Sequence, residues 1–262
     1  MTTDRAPQPS LVLDTVLMTR RAFTLMRRSP TTPMAAIGFP VILMLFLSVS
    51  FADVVMPGAG FSEYVDYSTP LFIAMGITFA TLGTAIDAHT DRVSGFQIRM
   101  KTLPVSPIAP FAGRAIADLV RNMMTALVVT AVAFTLGFRF GPDAGFGDII
   151  GFLTFPLVYG FGLAWFMLAV AEWMSSAEAV NAALSAVLLV FSFLSTGFVK
   201  LEDLPGWAKP VAEANPISKI VEVMRGFASG TADSNAVFGA SAWAVGMTVV
   251  FGSILLLMSR RR

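Results

Sequence analysis

An all-α, polytopic membrane protein is the fold class this sequence predicts, and three observations predict it. Hydrophobic residues make up 55% of the chain and charged residues only 13%, with a mean hydropathy of +0.73; soluble domains carry about 25% charged residues. Six stretches, five without Lys or Arg and the third with only Arg121 near its start, are each long enough to cross a hydrocarbon core of about 30 Å, which takes roughly 17–25 residues. Between them the Lys and Arg concentrate on alternate connections, as expected of a polytopic topology. The length of 262 residues suits one transmembrane domain, 1–262, with short connections. A net charge of +1 gives no global signature of nucleic-acid binding.

The elements follow in order. The polar, proline-containing start MTTDRAPQPS lacks the apolar core of a cleavable signal peptide. Leu11–Arg28 reads as an amphipathic interfacial helix. Met18, Ala22, Leu25 and Met26 share one face, and Arg20, Arg21, Thr24, Arg27 and Arg28 gather on the other. It suits an anchor on an anionic leaflet or a topology signal. Ser29-Pro30 and Pro33 should break it. The spans are then expected at Met34–Phe51, Thr69–Ile86, Ala115–Phe138, Ile149–Ala171, Ala179–Val199 and Ala236–Met258, with Pro40 and Pro156 as candidate kink points. Gly76, Ala80 and Thr84, and again Ala179, Ala183 and Ala186, are small-residue faces suited to close helix packing.

Orientation comes from the cations. Thirteen of the eighteen Lys and Arg fall in the N-terminal segment, the Asp87–Arg114 connection with its edge, and the C-terminus. Arg139, Lys200, Lys209, Lys219 and Arg225 fall on the opposite side. Both termini and the 87–114 loop are therefore expected in the cytoplasm. The short EWMSSAE connection is acidic; Ser175 and Glu178 have capping-box spacing for the fifth span, which explains Glu178 better than a functional carboxylate does.

Two connections stand out. Asp87–Arg114 is charged and broken by prolines, with an amphipathic core from Gly95 to Leu103, and reads as the place where a partner's movement enters the membrane helices. The 200–235 connection opens KLEDLPGWAKP, placing Trp207 at the interface, and continues after Asn215-Pro216 as an amphipathic helix. Its apolar stripe is Ile217, Ile220, Val221, Met224, Phe227 and Ala228. Lys219, Glu222 and Arg225 lie opposite with i,i+3 pairing geometry. Such a helix lies on or dips into the outer leaflet, either as a cap over the bundle's mouth or as a passive surface helix.

Several chemistries are excluded. Without cysteine there are no disulfides, thiol nucleophiles or thiolate metal sites. The sole histidine, His89, rules out a multi-histidine metal site and is expected to be solvated in the loop. There is no Gly-x4-Gly-Lys-Ser/Thr stretch, so the chain holds no P-loop and no nucleotide site of its own. The carboxylates Asp87, Asp118, Glu172 and Glu178 all fall at span ends. Arg114, Asp118 and Arg121, at i−4 and i+3 spacing, read as an interfacial ion-pair cluster. With no charge in mid-span, a proton- or sodium-coupled transporter is disfavoured, and the driving energy is expected from elsewhere.

The motif DRVSGFQIRMKTLPVSPIAPFAGRAIADLVRN, carried by Asp91, Arg92, Gly95, Arg99, Leu103, Pro104, Val105, Ser106, Gly113, Arg114, Ala117 and Asp118, resembles the cytoplasmic coupling region of ABC type-2 exporter permeases. A second stretch, FLSTGFVKLEDLPGWAKPVAEANPISKIVEVMRGFASG, is similar to that family's segment after the fifth span. The daunorubicin-resistance type of drug and lipid exporters is the most similar subgroup, and the resemblance covers nearly the whole chain. It implies a permease of six spans that pairs with a second copy or a sister permease and binds separate ATPase subunits, which hold the ATP and Mg. It also implies that Gly95, Phe96, Arg99, Met100, Lys101, Leu103 and Pro104 form the helix that docks into the ATPase. Phe96, Met100 and Leu103 would be the apolar contacts, Arg99 and Lys101 would meet acidic groups, and Pro104 would end the helix. Trp207, Asn215, Pro216, Ile220, Met224 and Arg225 would belong to an external re-entrant hairpin. The expected activity is export of a hydrophobic or amphiphilic compound (antibiotic, lipid or glycoconjugate) across a bacterial cell membrane. A permease or channel working without an ATPase, and a non-transporting immunity or assembly factor, are the rival readings.

Overall fold

A computed structural model describes residues 10–28, 31–58 and 60–261, and their side chains except at 31–33, 35, 36, 97, 101 and 259–261. The expectations for the N-terminal tail and the Ser29-Pro30 break lie outside those residues, as do those for the Lys101 and C-terminal arginine side chains.

The described chain is helical: α1 (Leu11–Arg28), α2 (Thr31–Val55), α3 (Phe61–Val93), α4 (Phe96–Lys101), α5 (Ala109–Thr135), α6 (Phe146–Trp173), α7 (Ala177–Phe193), α8 (Lys209–Ala214), α9 (Pro216–Ser229) and α10 (Ser234–Arg261), with a 3-10 turn at Leu201–Asp203. Five helices are long and apolar enough to cross a membrane: α2, α3, α5, α6 and α10. With 17 residues, α7 is shorter. The chain is a multi-pass membrane protein.

The helices outrun the hydropathy that marks them. Backbone hydrogen bonding continues through polar sequence, so α3 runs on through DAHTDRV to Val93, and α5 starts at Ala109, behind Pro110 in its first turn. The 87–114 loop thereby shrinks to the stretch between Val93 and Ala109. Pro33 lies within the first turn of α2, where a missing N–H costs nothing, instead of breaking a helix before it. The fifth span stops six residues before Val199, at Phe193.

The bundle is organised around α3, which packs against α2, α5, α6, α7 and α9. Gly76, Ala80 and Thr84 are all buried on it. On α7 the packed face is Val180, Leu184 and Leu188, whereas Ala183 and Ala186 are exposed; the alanine face there is not the one that meets the bundle. Outside this core, α10 packs on α6, and α1 lies along α5.

Two glycines let one helix backbone come close against another. A Cβ at Gly162 would stand 2.7 Å from the Ala244 carbonyl oxygen, so α6 and α10 nearly touch backbone to backbone. A Cβ at Gly113 would stand 2.6 Å from the Cβ of Met18 and 2.8 Å from the Thr19 nitrogen. Those are backbone-proximal atoms that no rotamer change can move. Gly113→Ala is therefore expected to push α1 off α5 and cost about 1–3 kcal/mol, the range for overpacking. Thermal unfolding of the purified protein and protease cleavage within 11–28 check it.

Candidate functional site

At one end of the bundle four helices meet in a single cluster. Arg21 on α1 donates twice to Asp91 on α3, at 2.7 and 2.9 Å, in the fork geometry that a guanidinium offers a carboxylate. Arg114 on α5 pairs with the same carboxylate. The Arg21 guanidinium also stacks 3.7 Å above the ring of Phe96, the first residue of α4. Side-chain exposures are 33% for Arg21, 14% for Asp91 and 11% for Arg114, so the cluster is largely withdrawn from water. A second tie lies nearby, where Asp14 of α1, itself buried, accepts from the Ser106 backbone N–H at 2.9 Å. Gly95, at φ +74, makes the left-handed turn that reverses the chain between α3 and α4.

This arrangement places α4 differently from its amphipathic pattern. Phe96 is half-buried beneath Arg21. The large apolar side chains offered outward are Ile98, 69% exposed, and Leu103, 49% exposed; Met100 is half-buried. Arg99 is exposed and donates to the Ser94 carbonyl at 3.2 Å. The α-helical turn ends at Lys101, before Pro104. Ile98 lies between Phe96 and Arg99 and carries no signal in the sequence that sets it apart.

The expected ion-pair cluster divides in two. Asp118 pairs with Arg121 as its spacing predicts, while Arg114 turns to Asp91. Because α5 begins six residues before the expected span, Asp118 and Arg121 lie well inside the helix. Both are buried rather than interfacial. Arg121 also donates to Thr84 on α3, and Asn122 donates to Thr81 at 3.3 Å. Deeper in, Thr78 and the Tyr159 hydroxyl are 3.1 Å apart. A polar seam thus runs between α3, α5 and α6.

His89 is likewise buried, not solvated: its Nδ1 is 3.0 Å from Arg92 and 3.5 Å from the Ala171 carbonyl oxygen. Arg92 donates to the carbonyls of Glu172 and Met174, closing the C-terminus of α6, where the helix dipole favours a cation. Glu172 is buried as well. At the start of α7 the capping residue is Ser176, which accepts from Ala179 N–H at 3.1 Å, one position later than the Ser175 expected. Glu178 lies in that first turn and is exposed.

At the far end α8 and α9 form a helical hairpin. Asn215 is buried between them and accepts from the Ile217 N–H; its amide donates to the Phe191 and Leu194 carbonyls at 2.6 and 3.0 Å. One side chain therefore starts α9 and closes the end of α7, with Pro216 at the position where a missing N–H is harmless. Ile217, Ile220, Val221 and Met224 are buried against α6, α10 and α3, and Trp207 is 70% exposed.

Arg225 departs from its expected polar face. No ion pair joins it to Glu222, nor Lys219 to Glu222, among the described residues. Instead its guanidinium stacks 3.5 Å from the Tyr67 ring and donates to the carbonyls of Tyr67, Thr196 and Gly197 at 3.0, 2.9 and 3.0 Å. Burial lowers its pKa, and Tyr67 and Glu222 oppose that shift. Arg225→Ala would remove three charge-assisted hydrogen bonds and take its donor from the Gly197 carbonyl, while Thr196 keeps the Tyr67 hydroxyl, a loss of about 3 kcal/mol. Arg225→Lys, unable to fork, is expected to recover less than half of it in thermal unfolding.

A multi-pass helical bundle is thus fastened at one end by the Arg21–Asp91–Arg114 cluster and carries a helical hairpin at the other. The chain belongs to the ABC-2 type transporter family, whose model matches residues 14–228. It is 31% identical over 255 residues to the probable doxorubicin resistance ABC transporter permease protein DrrC of Mycobacterium tuberculosis, covering 95% of this chain and 89% of that one. It is 26% identical over 262 residues to the daunorubicin resistance ABC transporter permease protein DrrB1 of Streptomyces coeruleorubidus, covering 99% and 90%. The doxorubicin resistance ABC transporter permease protein DrrB of M. tuberculosis is 28% identical over 231 residues, with 86% and 79% covered.

Proposed function

We propose that this chain is the transmembrane subunit of an ATP-driven exporter in a bacterial cell membrane, and that it moves an amphiphilic, drug-like compound outward. The observation that carries this is its 31% identity, across nearly the full length of both chains, to a permease named for doxorubicin resistance. ATP and Mg bind a separate ATPase, whose closure is delivered to the 95–104 segment. The Arg21–Asp91–Arg114 cluster passes the movement to α1, α3 and α5 together. In this reading α7 is the sixth span, both termini and α4 face the cytoplasm, and the α8–α9 hairpin lies outside, where Asn215 and Arg225 hold it against α7 and α3. A second permease, identical or a sister chain, completes the pathway.

The apolar and aromatic lining of the helices suits a planar amphiphile. Doxorubicin, itself fluorescent, is the first cargo to test. Inverted vesicles containing this chain and its ATPase are expected to accumulate it when ATP is added, and vesicles lacking either subunit are not. ATP-independent accumulation, or purification from native membranes without any ATPase, would refute the exporter reading.

A further inference from the structure

Between α1 and α5 lies a cavity of about 560 Å³. Its apolar lining is Val16, Phe23 and Ile116, and its polar lining includes Thr19, Arg20 and Arg27. No carboxylate lines it. Arg20 and Arg27 are exposed and form no ion pair among the described residues, unlike Arg21, which is spent on Asp91. The Thr19 hydroxyl donates to the Thr15 carbonyl and Thr24 donates to the Arg20 carbonyl, so neither competes as a donor for the arginines' surroundings. Arg20, Thr24 and Arg27 follow at i, i+4 and i+7, which puts the two cations on one face roughly 10 Å apart along the axis.

We propose that this groove is a binding site for one anionic phospholipid. Its phosphate lies between the Arg20 and Arg27 guanidiniums, and the start of an acyl chain runs over Val16, Phe23 and Ile116. The argument is charge complementarity joined to an apolar floor. Two unpaired guanidiniums with no acid beside them call for an anion, and an exposed valine, a phenylalanine and an isoleucine beside them call for hydrocarbon. A small anion would use only the first half of that lining, and an acidic protein surface would leave the second half wet. The inference rests on α1 lying at the membrane surface and not on the exporter reading, since neither ATPase nor cargo enters it. Occupancy would brace α1 against α5 at the same place where Gly113 admits Met18.

The test is native mass spectrometry of the full chain in neutral detergent, titrated separately with phosphatidylglycerol, phosphatidylcholine and inorganic phosphate. One tightly retained phosphatidylglycerol is expected, well above phosphatidylcholine. Each arginine near a membrane surface is worth about fivefold in affinity for an anionic lipid, so Arg20→Gln with Arg27→Gln is expected to lower retention by about 25-fold. Arg28→Gln, the same charge loss on the same helix outside the lining, is expected to leave it unchanged. Equal loss in Arg28→Gln would reduce the site to diffuse surface attraction and overturn the proposal. So would undiminished retention in the double variant, equal retention of phosphatidylcholine, or displacement of the lipid by inorganic phosphate. Should the double variant unfold, Arg27→Gln alone in the last turn of α1, with its fivefold expectation, decides the matter.

Discussion

Asp91→Ala is expected to release α1 from the bundle and separate ATP hydrolysis from transport. One carboxylate neutralises two arginines from two other helices, so its removal leaves both cations unpaired in a largely dry corner. Removing one partner of a fully buried pair costs about 3–5 kcal/mol. Because a third of Arg21 is exposed and solvent screens it, about 2–3 kcal/mol is the better expectation here. Thermal unfolding reads the stability loss. In reconstituted vesicles the associated ATPase should keep hydrolysing while cargo uptake falls at least tenfold. Asp91→Glu, which keeps the charge but not the reach, should fall between. Unchanged uptake in Asp91→Ala would show that the cluster is only structural packing.

The second large effect is expected from Ile98→Asp combined with Leu103→Asp. Both side chains are exposed in the isolated chain, so the double variant should unfold at the temperature of the wild type. If a partner covers them, each contributes about 1.5–3 kcal/mol of burial, and their loss should weaken ATPase association by about a hundredfold or more. Phe96→Asp offers the contrast. Phe96 lies beneath Arg21, so that variant should lose stability as well as association. Co-purification of the ATPase and thermal unfolding, measured on the same preparations, separate the two. Full association in Ile98→Asp/Leu103→Asp would move the docking surface elsewhere.

Much of this architecture was legible in the sequence for a simple reason: hydrophobic stretches and amphipathic periods report burial directly. The bounds of α1, the buried stripe of α9, and the pairing of Asp118 with Arg121 all follow from spacing. The failures share a cause too. Charge and spacing alone place Arg21 and Arg225 on the polar faces of their helices, away from the packed core. A guanidinium, however, can lay its stem along apolar surface and spend its forked donors on a carboxylate or on carbonyls at helix ends. His89 was read as solvated because its neighbours are polar, but those neighbours continue α3 and turn it toward the C-terminus of α6. On α7 the small side chains were read as the packing face, while the burial went to Val180, Leu184 and Leu188. Ile98 shows the opposite limit. Pattern alone does not reveal which apolar residue of a short helix is left uncovered once an arginine from elsewhere claims its neighbour.

The length of α3 has a mechanical meaning. At 33 residues, with Pro70 inside its first third, α3 is at most roughly 50 Å long, well beyond the hydrocarbon it crosses. Asp91 and Arg92 are fastened at one tip, and Tyr67, stacked with Arg225, lies near the other. Were α3 to tilt as one body, the fulcrum would lie among its packed neighbours. Tilting it by only about 10° about its midpoint sweeps each tip by roughly 4 Å in opposite directions. A push delivered beside α4 would therefore arrive at the hairpin as a pull, with no relay of intermediate side chains needed to carry it.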